Sequence, residues 1–153
     1  MKLSQTILGI PFENPTVLAS GILGITASSW RMVAEHGAGA ITTKSLWLQE
    51  HLGHKNPTII STDYWTLNAV GVPDAGPEKA REEIGEYNKD KPVPLIANII
   101  AESVENYAKT AEAILPLTPD FLEVNISCPN IEDEFGKPFA CSAPDSAAVT
   151  KAV

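Results

Sequence analysis

The chain has 153 residues, 44% of them hydrophobic and 20% charged, and carries a formal net charge of −8. That length builds one domain with a real core, and the composition is that of an ordinary globular protein. The acidic balance argues against nucleic acid and anionic membrane as partners, and no run approaches the roughly 18 apolar residues that span a bilayer.

Met1 to Gly9 holds one basic residue and a broken apolar stretch, unlike the apolar region of a signal peptide. Residues 3 to 18 read as a pair of short strands, Leu3 to Leu8 and Thr16 to Ala19, with turn signals in Gly9-Ile-Pro-Phe-Glu-Asn-Pro15. Ser20-Gly21 and Gly24 then open a loop. Ala27 to His36 has helical spacing, with Ser28 or Ser29 as its cap, and ends at Gly37 and Gly39. Ala40-Ile-Thr-Thr43 is the next short strand and delivers Lys44-Ser45. A long excursion follows, Leu46 to Gly76, with Asn56-Pro57 and a small strand at Thr58 to Ser61; loops of that length in a compact domain are usually functional.

Pro77 to Lys89 reads as a helix with proline in its first turn and acidic residues towards its N-terminus. Pro94 to Ile100 is a buried strand. Glu102 to Leu115 is a helix with Val104, Tyr107, Ala108, Ala111 and Ile114 on one stripe. Phe121 to Asn125 is the last strand, and Pro144 to Val153 begins one more helix. The order is β-α-β-α-β-α-β-α after an N-terminal hairpin, which implies parallel strands joined by helical crossovers. Two architectures compete, an open doubly wound sheet and a (β/α)₈ barrel. No Gly-x-Gly-x-x-Gly follows the first strand, which weakens a dinucleotide-binding reading. Polar residues at the C-terminal ends of several strands, Ser20, Lys44, Asn98 and Asn125, suit the working face of a barrel, yet a whole barrel needs at least about 200 residues.

The stretch Phe121-Leu-Glu-Val-Asn-Ile-Ser-Cys-Pro-Asn130 is the chemical centre. Its apolar half stops abruptly in an amide, a hydroxyl, a thiol, a proline and another amide, as a buried strand delivering a reactive loop does. An Asn-rich turn with a buried cysteine is the plain alternative. Cys128 and Cys141 are too few for a disulfide framework in a domain this large. Free thiols in a reducing cytoplasm are expected, with a Cys128–Cys141 pair as the other option.

Asn14-Pro-Thr-Val-Leu-Ala-Ser-Gly21, Gly39-Ala-Ile-Thr-Thr-Lys-Ser45, Leu67-Asn-Ala-Val-Gly-Val72, Leu95-Ile-Ala-Asn98 and Glu123-Val-Asn-Ile-Ser-Cys-Pro-Asn130 follow one another over nearly the whole chain. In that order and spacing they resemble the N-terminal half of a dihydroorotate dehydrogenase, an FMN-dependent TIM barrel of pyrimidine biosynthesis. The resemblance implies about four β-α units plus the hairpin, a single partial domain over residues 1–153, with the second half of the barrel absent from this chain. It implies oxidation of (S)-dihydroorotate to orotate, a base removing a proton from C5 while C6 gives a hydride to the flavin. Cys128 takes the place of that base. A cysteine there is similar to the soluble class 1 enzymes, where membrane-bound class 2 enzymes carry serine.

By the same resemblance Asn68, Asn125 and Asn130 hold the dihydropyrimidine substrate, since a carboxamide offers both donors and an acceptor to its ring. The backbone N–H groups of Val70, Gly71 and Val72 resemble those that receive the substrate carboxylate. Lys44 contacts substrate and reduced flavin, against the alternative of a snorkelling surface lysine. Ala19, Ser20 and Gly21 lie against the isoalloxazine ring, and Ser45, Asn98 and Asn125 add polar contacts to it. Asn98 is similar to the class 1B branch, in which a separate iron–sulfur flavoprotein subunit passes electrons to NAD.

His51 and His54 lie three apart on the excursion; without a nearby cysteine they read as solvated loop residues rather than metal ligands. Trp47 and Trp65 are expected to pack the excursion onto the mouth of the barrel. Two features depart from the family's pattern: the acids Glu132-Asp133-Glu134 in the loop after Cys128, and Asp74 where relatives often have asparagine. A lone half-barrel would expose two strand edges and an apolar inner face, so the chain is expected to pair with a complementary second half or with a copy of itself. The rival functions are a flavin enzyme acting on another dihydropyrimidine, such as dihydrouracil, and a non-catalytic half-barrel fragment or interaction module.

Overall fold

Short apolar strands alternate with amphipathic helices in the computed structural model of the chain, which describes residues 3–131 and 135–153. The acids at 132–134 lie outside the described residues. Two strands open the chain as an antiparallel hairpin, β1 (Gln5–Ile7) and β2 (Ile10–Phe12). This corrects the expected hairpin. Its second strand lies within the Gly9–Pro15 stretch read as a turn, and the turn itself is only Leu8-Gly9, both at positive φ.

The segment at Val17–Leu18 is instead β3, which opens a four-stranded parallel sheet in the order β3, β4 (Ala40–Thr42), β7 (Leu95–Ile99), β8 (Phe121–Val124). Between β4 and β7 the excursion builds a separate hairpin, β5 (Ile59–Ser61) with β6 (Thr66–Asn68). The crossovers are α1 (Ala27–Glu35), α2 (Pro77–Tyr87) and α3 (Val104–Ile114), and α4 (Ala143–Ala152) ends the chain. The cap of α1 is Thr26 rather than either serine: its hydroxyl accepts from Ser29 N while Ser29 Oγ accepts from Thr26 N, a reciprocal capping box. A stretch with three hydroxyl residues within four positions, Thr26, Ser28 and Ser29, leaves that choice to tertiary context.

Strand alternation divides the sheet into two faces. Leu18, Ile41, Leu95, Ala97, Ile99, Leu122 and Val124 face the helices and pack with Trp30, Ile84, Tyr87, Tyr107, Ala111 and Ile114. Burying a side chain of the size of Leu95 or Ile99 is worth about 1.5–3 kcal/mol, so this layer fixes where the strands end. The opposite face carries Val17, Ala40, Thr42, Ile96, Asn98, Phe121 and Glu123. It is a mixed surface, not the apolar one expected. Phe12 of the N-terminal hairpin covers its lower end, with its ring 5.9 Å from Phe121. The outer strands of the sheet are β3 and β8.

Candidate active site

The C-terminal ends of these strands deliver polar groups to one open cavity of about 580 Å³. Its wall includes Ser20 and Gly21 after β3, Lys44 and Ser45 after β4, Asn68 at the end of β6, Val70 to Val72, and Asn125, Cys128 and Asn130 after β8. Ala19 and Asn98 do not line it. Asn98 lies one step below, buried, with Nδ2 donating to Glu123, Oδ1 unpartnered, and its backbone N donating to Thr43 Oγ1 at 3.0 Å.

The strand carrying Lys44 and Ser45 does not end cleanly. Ile41 pairs with Leu95 and Leu46 with Ile99, five steps on one strand against four on the other. The extra residue makes a bulge, which re-aims side chains at strand ends. Lys44 sits at this bulge, partly buried. Among the described residues its ammonium makes no hydrogen bond or ion pair. Burial lowers its pKa below the ordinary lysine value, opposed by the charges of Cys128 and Asp74. The ammonium and the Cys128 sulfur thus reach one cavity from different strands.

Asn125 is held on three sides. Its Nδ2 donates to Ser45 Oγ at 3.2 Å, its Oδ1 accepts from Ser127 N at 3.3 Å, and its backbone N donates to Ile99 O at 2.9 Å. Its carbonyl accepts from the hydroxyl of Tyr107 on α3. Burial pushes that phenol up to about 12. The sequence pattern shows Tyr107 only as part of an apolar stripe, though a buried tyrosine ordinarily finds a partner for its hydroxyl. Asn130 Nδ2 donates to Asn68 Oδ1 at 3.3 Å, closing the cavity between the β8 loop and the β5–β6 hairpin. Cys128 packs against Trp47, Val72, Ile100 and Ile131 and is partly exposed, while Cys141 is exposed; both are free thiols.

The excursion reaches the cavity through Asn68 to Val72. Gly71 is buried with φ 72°, and Val72, a buried β-branched residue, holds φ 46°. A left-handed valine is a strained backbone, here at the cavity wall. His51 and His54 are not simply solvated. The Nδ1 of His51 is 3.1 Å from Val72 O, and that of His54 is 3.1 Å from Ala69 O. Among the described residues no group of three or more His, Cys, Asp or Glu is arranged to hold a metal.

Trp47 is buried and stacks on His51 at 4.7 Å, whereas Trp65 remains half-exposed at the hairpin turn and does not pack as expected. Asp74 does not line the site cavity but a neighbouring one of about 330 Å³, which Lys44 also lines. Its carboxylate accepts from Trp47 N at 3.0 Å, and burial raises its pKa despite that bond, further backbone donors at Gly76 and Ala75, and Lys44.

Known proteins place the chain. The family model described as dihydroorotate dehydrogenase matches residues 2–153. The catalytic subunit of dihydroorotate dehydrogenase B (NAD(+)) from Methanosarcina acetivorans is 41% identical over 127 residues, which are 82% of this chain and 41% of that protein. The same subunit from Methanocaldococcus jannaschii is 41% identical over 131 residues, 84% of this chain and 42% of the relative. That from Thermococcus kodakarensis is 36% identical over 152 residues, 99% of this chain and 49% of its own length. The chain therefore spans less than half the length of each of these relatives. With a family match from one end to the other and the family's motifs gathered at one cavity, this chain belongs to the dihydroorotate dehydrogenase family.

Proposed function

We propose that the chain supplies the flavin- and substrate-binding half of an FMN-dependent dihydroorotate dehydrogenase. One observation carries the reading: the sulfur of Cys128, the ammonium of Lys44, the carboxamides of Asn68, Asn125 and Asn130, and the Val70–Val72 backbone line the same cavity although they come from three separate stretches. The cavity suits a flavin together with a small ring, since ligand pockets run to about 300–1,000 Å³. Ser20 and Gly21 form a small-residue wall, and a Cβ built on Gly21 would meet nothing within 4 Å. The unpaired Lys44 ammonium fits an electron-rich reduced ring and an anionic substrate.

FMN, when bound, supplies the acceptor for the hydride that leaves C6. Cys128 takes the proton from C5, so that the C5–H and C6–H bonds break and the C5=C6 double bond of orotate forms. A thiolate is the competent base, and the Lys44 ammonium lines the same cavity as that sulfur. Asn125, fixed by Ser45, Ser127 and Tyr107, and the bonded pair Asn68–Asn130 orient the pyrimidine ring. The free N–H groups at Val70 to Val72 receive its carboxylate.

The remaining strands of a (β/α)₈ barrel would pair along β3 and β8, supplied by a complementary second half or by another copy of the chain. The curated relatives are named catalytic subunits, which supports an electron-transfer partner, an iron–sulfur flavoprotein subunit in our reading. Among the described residues no helix is long and apolar enough to cross a membrane. The test is anaerobic mixing of the FMN-loaded enzyme with dihydroorotate. Flavin absorbance should bleach, and Cys128→Ser should keep the flavin while slowing bleaching by about 10²–10⁴-fold. Equal bleaching by dihydrouracil would move the substrate assignment, and unchanged reduction in Cys128→Ser would remove the base.

A further inference from the structure

The geometry points to His54, with His51 as its companion, as the residue that positions the Val70–Val72 backbone for an anionic substrate group; this rests on the function proposed above. The pair His51-x-x-His54 has no place in the chemistry proposed for the cavity, and among the described residues it belongs to no group of three or more possible metal ligands. Both side chains nevertheless do the same thing. A carbonyl can only accept, so each Nδ1 must carry the proton and donate, His54 to Ala69 O and His51 to Val72 O, each at 3.1 Å. The main chain repeats the attachment: His54 N donates to Val70 O at 3.1 Å, and His51 and Asp74 exchange N–H···O bonds at 2.9 and 2.8 Å.

The consequence follows from peptide planarity. A trans peptide sets its N–H opposite its carbonyl, so holding Ala69 O and Val70 O against His54 turns the N–H groups of Val70 and Gly71 to the far side. Among the described residues no acceptor takes the N–H of Val70, Gly71 or Val72. These are three successive free donors on a cavity wall, an arrangement that attracts a carboxylate. The fit is tight. A Cβ on Gly71 would stand 2.7 Å from His54 Cδ2 and 2.8 Å from His54 N, and one on Gly53 would stand 2.5 Å from Val70 O. The His54 ring and the 70–71 backbone thus lie too close for any side chain between them. Without the clamp, the left-handed Gly71-Val72 pair would relax and the donors would turn away.

The experiment uses the FMN-loaded holoenzyme and three substitutions at one position. His54→Phe keeps a ring against Gly71 and loses the donor; His54→Asn restores an N–H near the Nδ1 position; His54→Ala loses both. Orotate binding is followed by the perturbation of the flavin spectrum, with KM and kcat for dihydroorotate alongside. Loss of one net hydrogen bond predicts roughly a three- to tenfold weaker Kd and higher KM in His54→Phe, with kcat little changed, and recovery in His54→Asn. In the flavin-free protein, amide exchange should quicken over residues 69–74 in His54→Phe and stay unchanged in β7 and α3.

Asn68→Ala is the control for the site. If it weakens orotate binding while His54→Phe binds as the parent does, the clamp is wrong and the site stands. If Asn68→Ala binds orotate unchanged, the substrate reading falls and the clamp's role falls with it. Equal weakening in His54→Asn and His54→Phe would also overturn the proposal, because the donor would then not matter. Should His54→Ala melt early, the Phe and Asn pair still decides.

Discussion

Two regions bring functional groups to the same cavity and hold them by different forces. Lys44, Ser45, Asn125 and Cys128 stand on or just beyond strands whose helix-facing residues are sealed: Ile41, Leu95 and Ile99 are each 0% exposed. Asn68 and Val70–Val72 come from an excursion whose hairpin leaves Tyr64 93% and Leu67 62% exposed. Packing fixes the first set. Main-chain hydrogen bonds to His51, His54 and Thr58 fix the second, with Ala69 N donating to Thr58 O at 2.8 Å. The Cys128 sulfur and the Lys44 ammonium thus follow directly on packed strands, and Asn68 and Val70–Val72 sit where local opening is cheap.

Breaking the packed side should cost stability first. Ile99→Ala empties a fully buried position between α3 and the sheet and should lower the free energy of unfolding by about 2–5 kcal/mol, measured by chemical denaturation. Breaking the hydrogen-bonded side should cost binding first. Gly71→Ala forces a side chain into the left-handed region, by about 1–2 kcal/mol, and drives its Cβ against His54. Orotate affinity should fall at least tenfold while the denaturation midpoint of the sheet, read from Trp30 buried against Tyr87, moves little. A loss of stability equal to that of Ile99→Ala would erase the distinction.

The same contrast explains what could be read in advance. Elements of the packed region follow periodicity: the α3 stripe and the apolar runs of β7 and β8 lie within a residue or two of where they were expected. Of the polar groups expected at strand ends, Ser20, Lys44 and Asn125 line the cavity, whereas Asn98 on β7 does not. The excursion offered no such pattern. Its β6 strand is three residues long and fully exposed, so nothing in Thr66-Leu-Asn68 alternates between core and water. His51 and His54 act through their Nδ1 atoms on carbonyls 15 to 21 residues away, a relation that local spacing does not encode. Tyr107 is the intermediate case. Its burial was legible from the stripe, but its hydroxyl's partner, Asn125 O, lies on another element.

Tyr107→Phe sharpens the comparison because it tests a hydrogen bond inside the packed region. It keeps the packed ring and leaves the Asn125 carbonyl short of a donor, which should cost about 1 kcal/mol in stability. If Asn125 is positioned by that bond, orotate affinity should fall with it. A stability loss with unchanged affinity would show that Ser45 and Ser127 suffice.

The smallest expected effect concerns Asp74, which anchors the excursion to the buried Trp47 backbone. Burial raises its carboxyl above the ordinary range, so between its unfolded and folded pKa values the folded chain binds more protons than the unfolded one. Stability must then decline as pH rises across that window, since the charged form is the one the fold disfavours. Lys44 works the other way at the alkaline end: with its pKa lowered, the folded state releases its proton first, and stability rises with pH up to the unfolded lysine value. Asp74→Asn removes the acidic-side slope and keeps the alkaline one, slightly widened because the Asp74 charge raises the Lys44 pKa, and Lys44→Met does the reverse. Denaturation curves collected from acid to alkaline pH for the parent and both variants measure the two slopes separately. Loss of both slopes in Asp74→Asn would mean that the two charges titrate as one unit across the wall between the cavities, and that the excursion and the sheet are coupled there more tightly than their packing implies.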